Sequence, residues 1–187
     1  TPNLDMRPYK PKQSSKGICR GIIQNYRNNG YFAQKVINGA VVSSTEVVIF
    51  LNDVRTIVQI IEENNLQPDE VNVLCSPSNK YVKDLKRLGV HIGELSTDPC
   101  NPVNRIFTFA TRASFEGVDF YSNSAFTYIF CDGVLEWNKN DLITDVPQIL
   151  GLQRLDQPFR KDAILYYRAN SRTNSAAIID RIKAKEE

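Results

Sequence analysis

Residues 107–120 read FTFATRASFEGVDF. An apolar run ends in Thr111-Arg112, and Glu116-Gly117-Val118-Asp119 follows shortly after. A hydroxyl and a guanidinium leaving a strand end together can hold a phosphate. Gly117 permits positive φ or a close backbone approach. Asp119 can accept a hydrogen bond from a sugar hydroxyl or orient a neighbouring arginine. The same residues also fit a strand, a turn and an acidic surface with no ligand at all.

A second stretch, residues 145–160, reads DVPQILGLQRLDQPFR. Gln148, Gly151 and Arg154 recur every three residues, a spacing that predicts roughly one shared helix face. An arginine held there could reach a phosphate supplied from another domain, as an arginine finger does. An amphipathic helix with an exposed glutamine and arginine is the competing reading.

Other chemistries find little support. The four cysteines, Cys19, Cys75, Cys100 and Cys131, form no C-x-x-C pair, and His91 is the single histidine. Zinc spacings are therefore missing, and a Cys–His or Ser–His catalytic pair is hard to build. Cys75 and Cys131 sit in apolar runs and are expected to behave as small buried hydrophobes. No G-x-x-x-x-G-K-[ST] loop occurs in the chain. Asp69-Glu70 superficially resembles a magnesium-binding acidic pair but precedes its strand, so Pro68-Asp69-Glu70 reads as a turn. Asp132 does follow a strand, yet Gly133 and not an acid comes next.

The elements that must position these residues follow from hydrophobic periodicity. The Pro-rich TPNLDMRPYKPK reads as an extended leading segment. Ser14 or Ser15 is expected to cap a helix running to Asn29, and Asn38-Gly39 marks a hairpin. VVIFL (47–51), VNVLCS (71–76), IFTFAT (106–111), TYIFCD (127–132) and AILYYR (163–168) read as buried strands. Helices are expected over Val54–Glu63, Lys80–Leu88, Val146–Leu155 and Ser175–Lys185. Strands alternating with helices predict an α/β fold, a mainly parallel sheet covered on both faces. Ligands in such sheets sit beyond the carboxyl ends of the strands. That directs attention to Asn52-Asp53, Ser76-Pro77, residues 111–119, Asp132-Gly133 and the helix near Val146.

TRASFEGVDF is similar to motif V of superfamily 2 helicases, in which a strand-end threonine precedes an E-G-[IV]-D element. QILGLQR resembles their motif VI, usually Q-x-x-G-R-x-x-R or Q-x-x-G-R-x-R. EVVIFLNDV (46–54) resembles motif IV, and VNVLCS the strand that follows it. The resemblance covers residues 46–168, in the family's order. It implies a RecA-like three-layer sandwich, the second of two lobes, with ATP between the lobes and single-stranded nucleic acid across both, DNA favoured over RNA. It gives Thr111, Arg112, Ser76 and Asn52 contacts to the nucleic-acid backbone. It places Glu116, Gly117, Asp119 and Gly151 at the nucleotide, Gln148 in the interlobe cleft and Arg154 facing the γ-phosphate. ATP and its Mg would be held mainly by an N-terminal lobe of the same protein, so the isolated chain is expected to bind no cofactor and hydrolyse nothing. One departure stands out: the arginine expected after Gly151 is Leu152, which leaves Arg154 alone.

The implied division is a leading segment and helix over 1–45 forming an interdomain linker region, a RecA-like domain over 46–170 and a C-terminal helix over 171–187. The chain begins at Thr1 in a Pro- and Lys-rich stretch, which reads as the edge of a longer or processed polypeptide. Its 187 residues suffice for one good core. A net charge of +2 means any nucleic-acid surface must be a local patch. Reduced cysteines point to the cytoplasm, and no apolar stretch approaches the roughly 18 residues of a membrane helix. Trp137, Tyr121, Tyr128, Tyr166 and Tyr167 could stack on bases or simply fill the core. Lys80, Lys83, Lys86 and Arg87 form a basic helical face, solvated or touching phosphate. The alternatives are a degenerate lobe that binds nucleic acid or protein without ATP turnover, and an unrelated doubly wound domain that binds a sugar phosphate or nucleotide sugar.

Overall fold

A computed structural model describes residues 2–115, 117–134, 140–169 and 173–186. The chain runs β1 (Asn3–Pro8), α1 (Ser15–Asn29), β2 (Ala33–Ile37), β3 (Ala40–Ser44), β4 (Val47–Phe50) and α2 (Val54–Glu63). It continues through β5 (Val71–Leu74), α3 (Val82–Leu88), β6 (His91–Ile92), β7 (Phe107–Ala110), β8 (Phe126–Val134), α4 (Asn140–Gly151), β9 (Asp162–Arg168) and α5 (Ser175–Glu186). Seven strands form one sheet in the order β1-β9-β8-β4-β7-β5-β6, every pair parallel. The expected α/β architecture, a parallel sheet between two helical layers as in RecA-like sandwiches, is present.

Alternation along each strand splits the core into two layers. Val47, Ile49 and Leu51 of the β4 run face one side, with Cys19 and Ile23 of α1, Ile57 and Ile61 of α2 and Leu85 of α3. Val48 and Phe50 face the other, with Val146 and Ile149 of α4 and Ile178 and Ile182 of α5. Burying a whole aliphatic side chain contributes about 1.5–3 kcal/mol, so both faces are held by the same short β-branched runs that identify the strands.

Local signals set the helix ends. The Ser14 hydroxyl accepts the Gly17 N–H at 3.2 Å, and Gly30 closes α1 at φ 80°. Asp53 caps α2 by accepting the Thr56 N–H at 3.2 Å. Asn38 and Gly39, at φ 51° and 77°, make the turn between β2 and β3. Pro68–Glu70 is a single 3-10 turn into β5, as its position before the strand requires.

Three features differ from the sequence reading. The leading segment is a strand, β1, paired with β9 at the sheet edge, where a one-sided ladder tolerates Pro8. β6 is a two-residue strand that no periodicity marks. The helix expected over Val146–Leu155 instead spans Asn140–Gly151, after which the chain pairs with Phe120. Among the cysteines, Cys19 is fully buried, whereas Cys75 and Cys131 are only partly so. No described helix is long and apolar enough to cross a membrane.

Candidate functional site

The carboxyl ends of β4, β7 and β5 lie side by side and flush. Phe50 pairs with Ala110, and Ala110 with Leu74. Asn52, Arg112 and Ser76 each come two residues beyond those partners, so three polar residues follow closely on adjacent strand ends. The Arg112 N–H donates to Asn52 Oδ1 at 3.0 Å, tying two of these ends together. Ser76 Oγ lies 2.9 Å from Ser78 Oγ in the following turn.

Arg112 turns its guanidinium to α4. Its Nε and Nη2 donate to Asp145 Oδ2 at 2.9 and 2.7 Å. The arginine side chain is 49% exposed and the aspartate 16%. Arg112 is therefore held at the strand ends yet still reachable from solvent.

Thr111 behaves differently from the expectation that its hydroxyl leaves the strand beside Arg112. It is buried, and Oγ1 donates to the Leu74 carbonyl at 2.8 Å. One residue nearer the strand than Arg112, it points into the sheet by simple alternation. Ser114 Oγ in turn donates to the Thr111 carbonyl at 2.6 Å. The Thr111 hydroxyl joins β7 to β5 and has no free side for a phosphate.

The second group lies lower on the α4 face. Phe120 N–H donates to the Leu152 carbonyl at 2.8 Å, and Arg154 N–H to the Phe120 carbonyl at 3.0 Å. This short parallel bridge sets Asp119 beside Arg154, whose Nε donates to Asp119 Oδ1 at 2.7 Å, with both side chains about half exposed. Gly117 adopts φ 72°, the left-handed conformation for which glycine is suited. Glu116 lies outside the described residues.

Gln148, Gly151 and Arg154 do not share one helix face, because α4 ends at Gly151. Gln148 is exposed on α4, Gly151 closes it half-buried, and Arg154 follows in extended chain. Leu152, which replaces the expected arginine, is 4% exposed and packs in the core with Phe120 and Ile149. Six helical residues separate Asp145 from Gly151, and extended chain leads on to Arg154. Arg112 and Arg154 thus engage different carboxylates, Asp145 on α4 and Asp119 before the Phe120 bridge.

A third polar cluster at the same edge was not foreseen. Tyr9, after β1, donates to Asp132 Oδ1 at 2.7 Å, Ser15 Oγ lies 3.5 Å from Asp132 Oδ2, and Arg168 Nε donates to the Asp132 carbonyl at 3.0 Å. Burial, then the bond to Asp132, holds the Tyr9 phenol well above its ordinary range. Tyr9 and Asp132 are 123 residues apart; Asp132 stands out in the sequence as a strand-end acid, whereas neither Tyr9 nor Asp145 carries a local signal. Among the described residues, no group of three or more His, Cys, Asp or Glu converges that could hold a metal ion.

Of the aromatic residues considered for stacking, Tyr167 is buried with its hydroxyl 2.6 Å from Ser175 Oγ, and Tyr128 is buried beside Phe126. Tyr166 is stacked between Tyr9 and Phe130, Tyr121 is half-buried, and Trp137 lies outside the described residues. In the basic helix, Arg87 pairs with Glu62 and Asp84.

No family model, no curated protein and no solved structure matches this chain.

Proposed function

We propose that the chain is the second motor lobe of an ATP-dependent helicase or translocase of superfamily 2, inactive alone, contacting single-stranded nucleic acid at its strand ends. The observation that carries this reading is that Asn52, Arg112 and Ser76 follow the carboxyl ends of three adjacent parallel strands, with the Arg112 N–H held by Asn52 Oδ1. Amide, guanidinium and hydroxyl groups gathered there suit backbone phosphates, which are contacted without regard to sequence. Thr111 serves this surface by holding β7 to β5 rather than by touching phosphate itself.

Asp119 and Arg154 support the nucleotide half of the reading. Two stretches compared with separate helicase motifs meet at 2.7 Å on an open surface. There Arg154 can offer its guanidinium to a γ-phosphate carried by another lobe. The residues of this chain fit only that part of an ATP site: the phosphate loop and the Mg ligands must come from elsewhere.

The test is ATP turnover by the natural polypeptide that contains both lobes, with and without single-stranded DNA, beside Arg154→Ala. Loss of an arginine finger costs about 10³–10⁵ in rate. DNA-stimulated turnover that survives the substitution undiminished rejects the assignment.

The burial of Leu152 supports a second reading. Position 152 faces the core, so no second arginine can be offered from it. A two-lobed protein that binds DNA through Asn52, Arg112 and Ser76 yet never turns over ATP would be a binding scaffold built on a helicase-like lobe.

A further inference from the structure

Beside α1, on the flank that does not face α2, runs a groove of about 310 Å³. Lys16 and Arg27 of α1 reach Glu63 and the Asn64 carbonyl at the other flank, and the groove takes the stripe Ile18, Gly21, Ile22 and Asn25. Its floor is the sheet, with Arg7 of β1, Tyr128 of β8, and Ile164 and Tyr166 of β9. Phe32 and Tyr31 line it where α1 ends.

Three observations mark it as more than a packing fault. A Cβ at Gly21 would meet no atom within 4 Å. Glycine inside a helix costs about 0.5–1 kcal/mol relative to alanine, so α1 gives up stability and the groove stays open. Tyr128 is 8% exposed, yet its hydroxyl has no hydrogen-bond partner among the described residues, and it lines the groove. Arg7 Nη1 stands 3.5 Å from the Tyr166 hydroxyl, so two phenols and a guanidinium come together on the floor.

The chemistry of the lining selects a ligand. Arg7 donates to Asp5 at 3.0 and 2.8 Å, and no other cation among the described residues lines the groove, so the polar groups left to meet a ligand are mostly neutral. Gln13 Oε1 accepts the Lys10 N–H at 2.8 Å, while its Nε2 and the whole Asn25 amide lack partners among the described residues. Primary amides offer donors and acceptors in one plane. Aromatic and aliphatic walls suit the flat faces of a ring. We infer that the α1 groove binds a single nucleobase, its ring against the aromatic and isoleucine walls and a ring nitrogen or carbonyl accepting from the Tyr128 hydroxyl. The inference stands on this groove alone and does not depend on the motor reading.

The base could belong to a free nucleoside or to a strand, and calorimetric titration of the 187-residue chain with uridine, adenosine, oligo-dT and oligo-dA separates them. Saturable binding with Kd below about 1 mM is expected. Gly21→Phe places a ring from α1 toward the groove at a position where a Cβ meets no neighbour and should weaken binding at least ten-fold, its fold checked by circular dichroism. Tyr128→Phe keeps the ring, removes the donor and should cost about five-fold, the equivalent of one net hydrogen bond. It decides the matter if Gly21→Phe fails to fold. Nucleoside binding that is sensitive to these substitutions identifies a free base, and sensitivity seen only with oligonucleotides identifies a strand. No binding by any of the four probes, or binding unchanged in a folded Gly21→Phe chain, overturns the inference.

Discussion

Replacing Asp145 with asparagine should make the chain bind single-stranded DNA more tightly. In the folded chain Arg112 donates two hydrogen bonds to one Asp145 oxygen, at 2.9 and 2.7 Å. A phosphate must compete with that carboxylate for the guanidinium. With Arg112 49% exposed, solvent screens the pair, which places it in the range of about 0.2–1 kcal/mol. Asparagine removes the charge and keeps the shape, so up to roughly 1 kcal/mol, about five-fold, becomes available to the ligand. Fluorescence anisotropy with a short labelled oligonucleotide, repeated over several salt concentrations, measures both affinity and its salt slope. Arg112→Ala should lower that slope by about one unit, the signature of a lost phosphate contact. Asp156→Asn makes the same charge change on the exposed chain leading to β9 and controls for bulk electrostatics. Should Asp145→Asn behave like this control, or should Arg112→Ala leave the slope intact, Arg112 does not contact the backbone.

Leu152 and Arg154 should separate cleanly in urea denaturation. Leu152→Arg puts a charge where the native residue is 4% exposed and should cost more than about 3 kcal/mol. Arg154→Ala removes only a half-exposed pair and should stay within about 1 kcal/mol; a Leu152→Arg chain as stable as the native one would mean that the position does not face the core. Alkaline stability should depend on Tyr128, whose phenol burial pushes from 10.0 to about 12. The folded value is raised, so the contribution is whole below pH 10 and is lost as pH rises toward 12. The chain should then lose about 2–3 kcal/mol relative to Tyr128→Phe, read as diverging thermal melts. Parallel melts across that window would refute the shift.

The fold was legible wherever it rests on short-range order. β4, β5, β7, β8 and β9 each announce themselves as β-branched or aromatic runs, and Ser14, Asp53, Gly30 and Gly89 supply the caps and stops beside them. What escaped depends on distant partners. β1 ends in Pro8, within a proline-rich leading segment, and becomes a strand because β9 lies beside it. The helical spacing of Gln148, Gly151 and Arg154 runs on past the true helix end, which is set by the pairing of Phe120 with Gln153. The identity of Thr111 suggested a ligand, but direction decided its role, and alternation from Ala110 turns it toward the Leu74 carbonyl. Asp145 had no signal, because its partner is 33 residues earlier.

The proposed functional arginines share a property that bears on how either could capture a phosphate. Arg112 and Arg154 each donate to a carboxylate at 2.7 Å in the folded chain. Neither pair is deeply buried, so neither is worth more than about 1 kcal/mol to stability. Each is nevertheless strong enough to keep its guanidinium from a weakly held phosphate. A single exposed cation gains little from one phosphate in water, and here part of that gain must offset the lost carboxylate. Capture becomes favourable only when other groups hold the phosphate at the same time and exclude water from it, which strengthens every charge contact inside. For Arg112 the proposed groups are Asn52, whose Oδ1 accepts the Arg112 N–H, and Ser76, beyond the end of the adjacent β5. Around Arg154 the described residues offer only Asp119, a competitor. On the proposed reading the strand-end surface would bind by itself, whereas the Arg154 surface would need a second lobe to bring the phosphate and its counterions together.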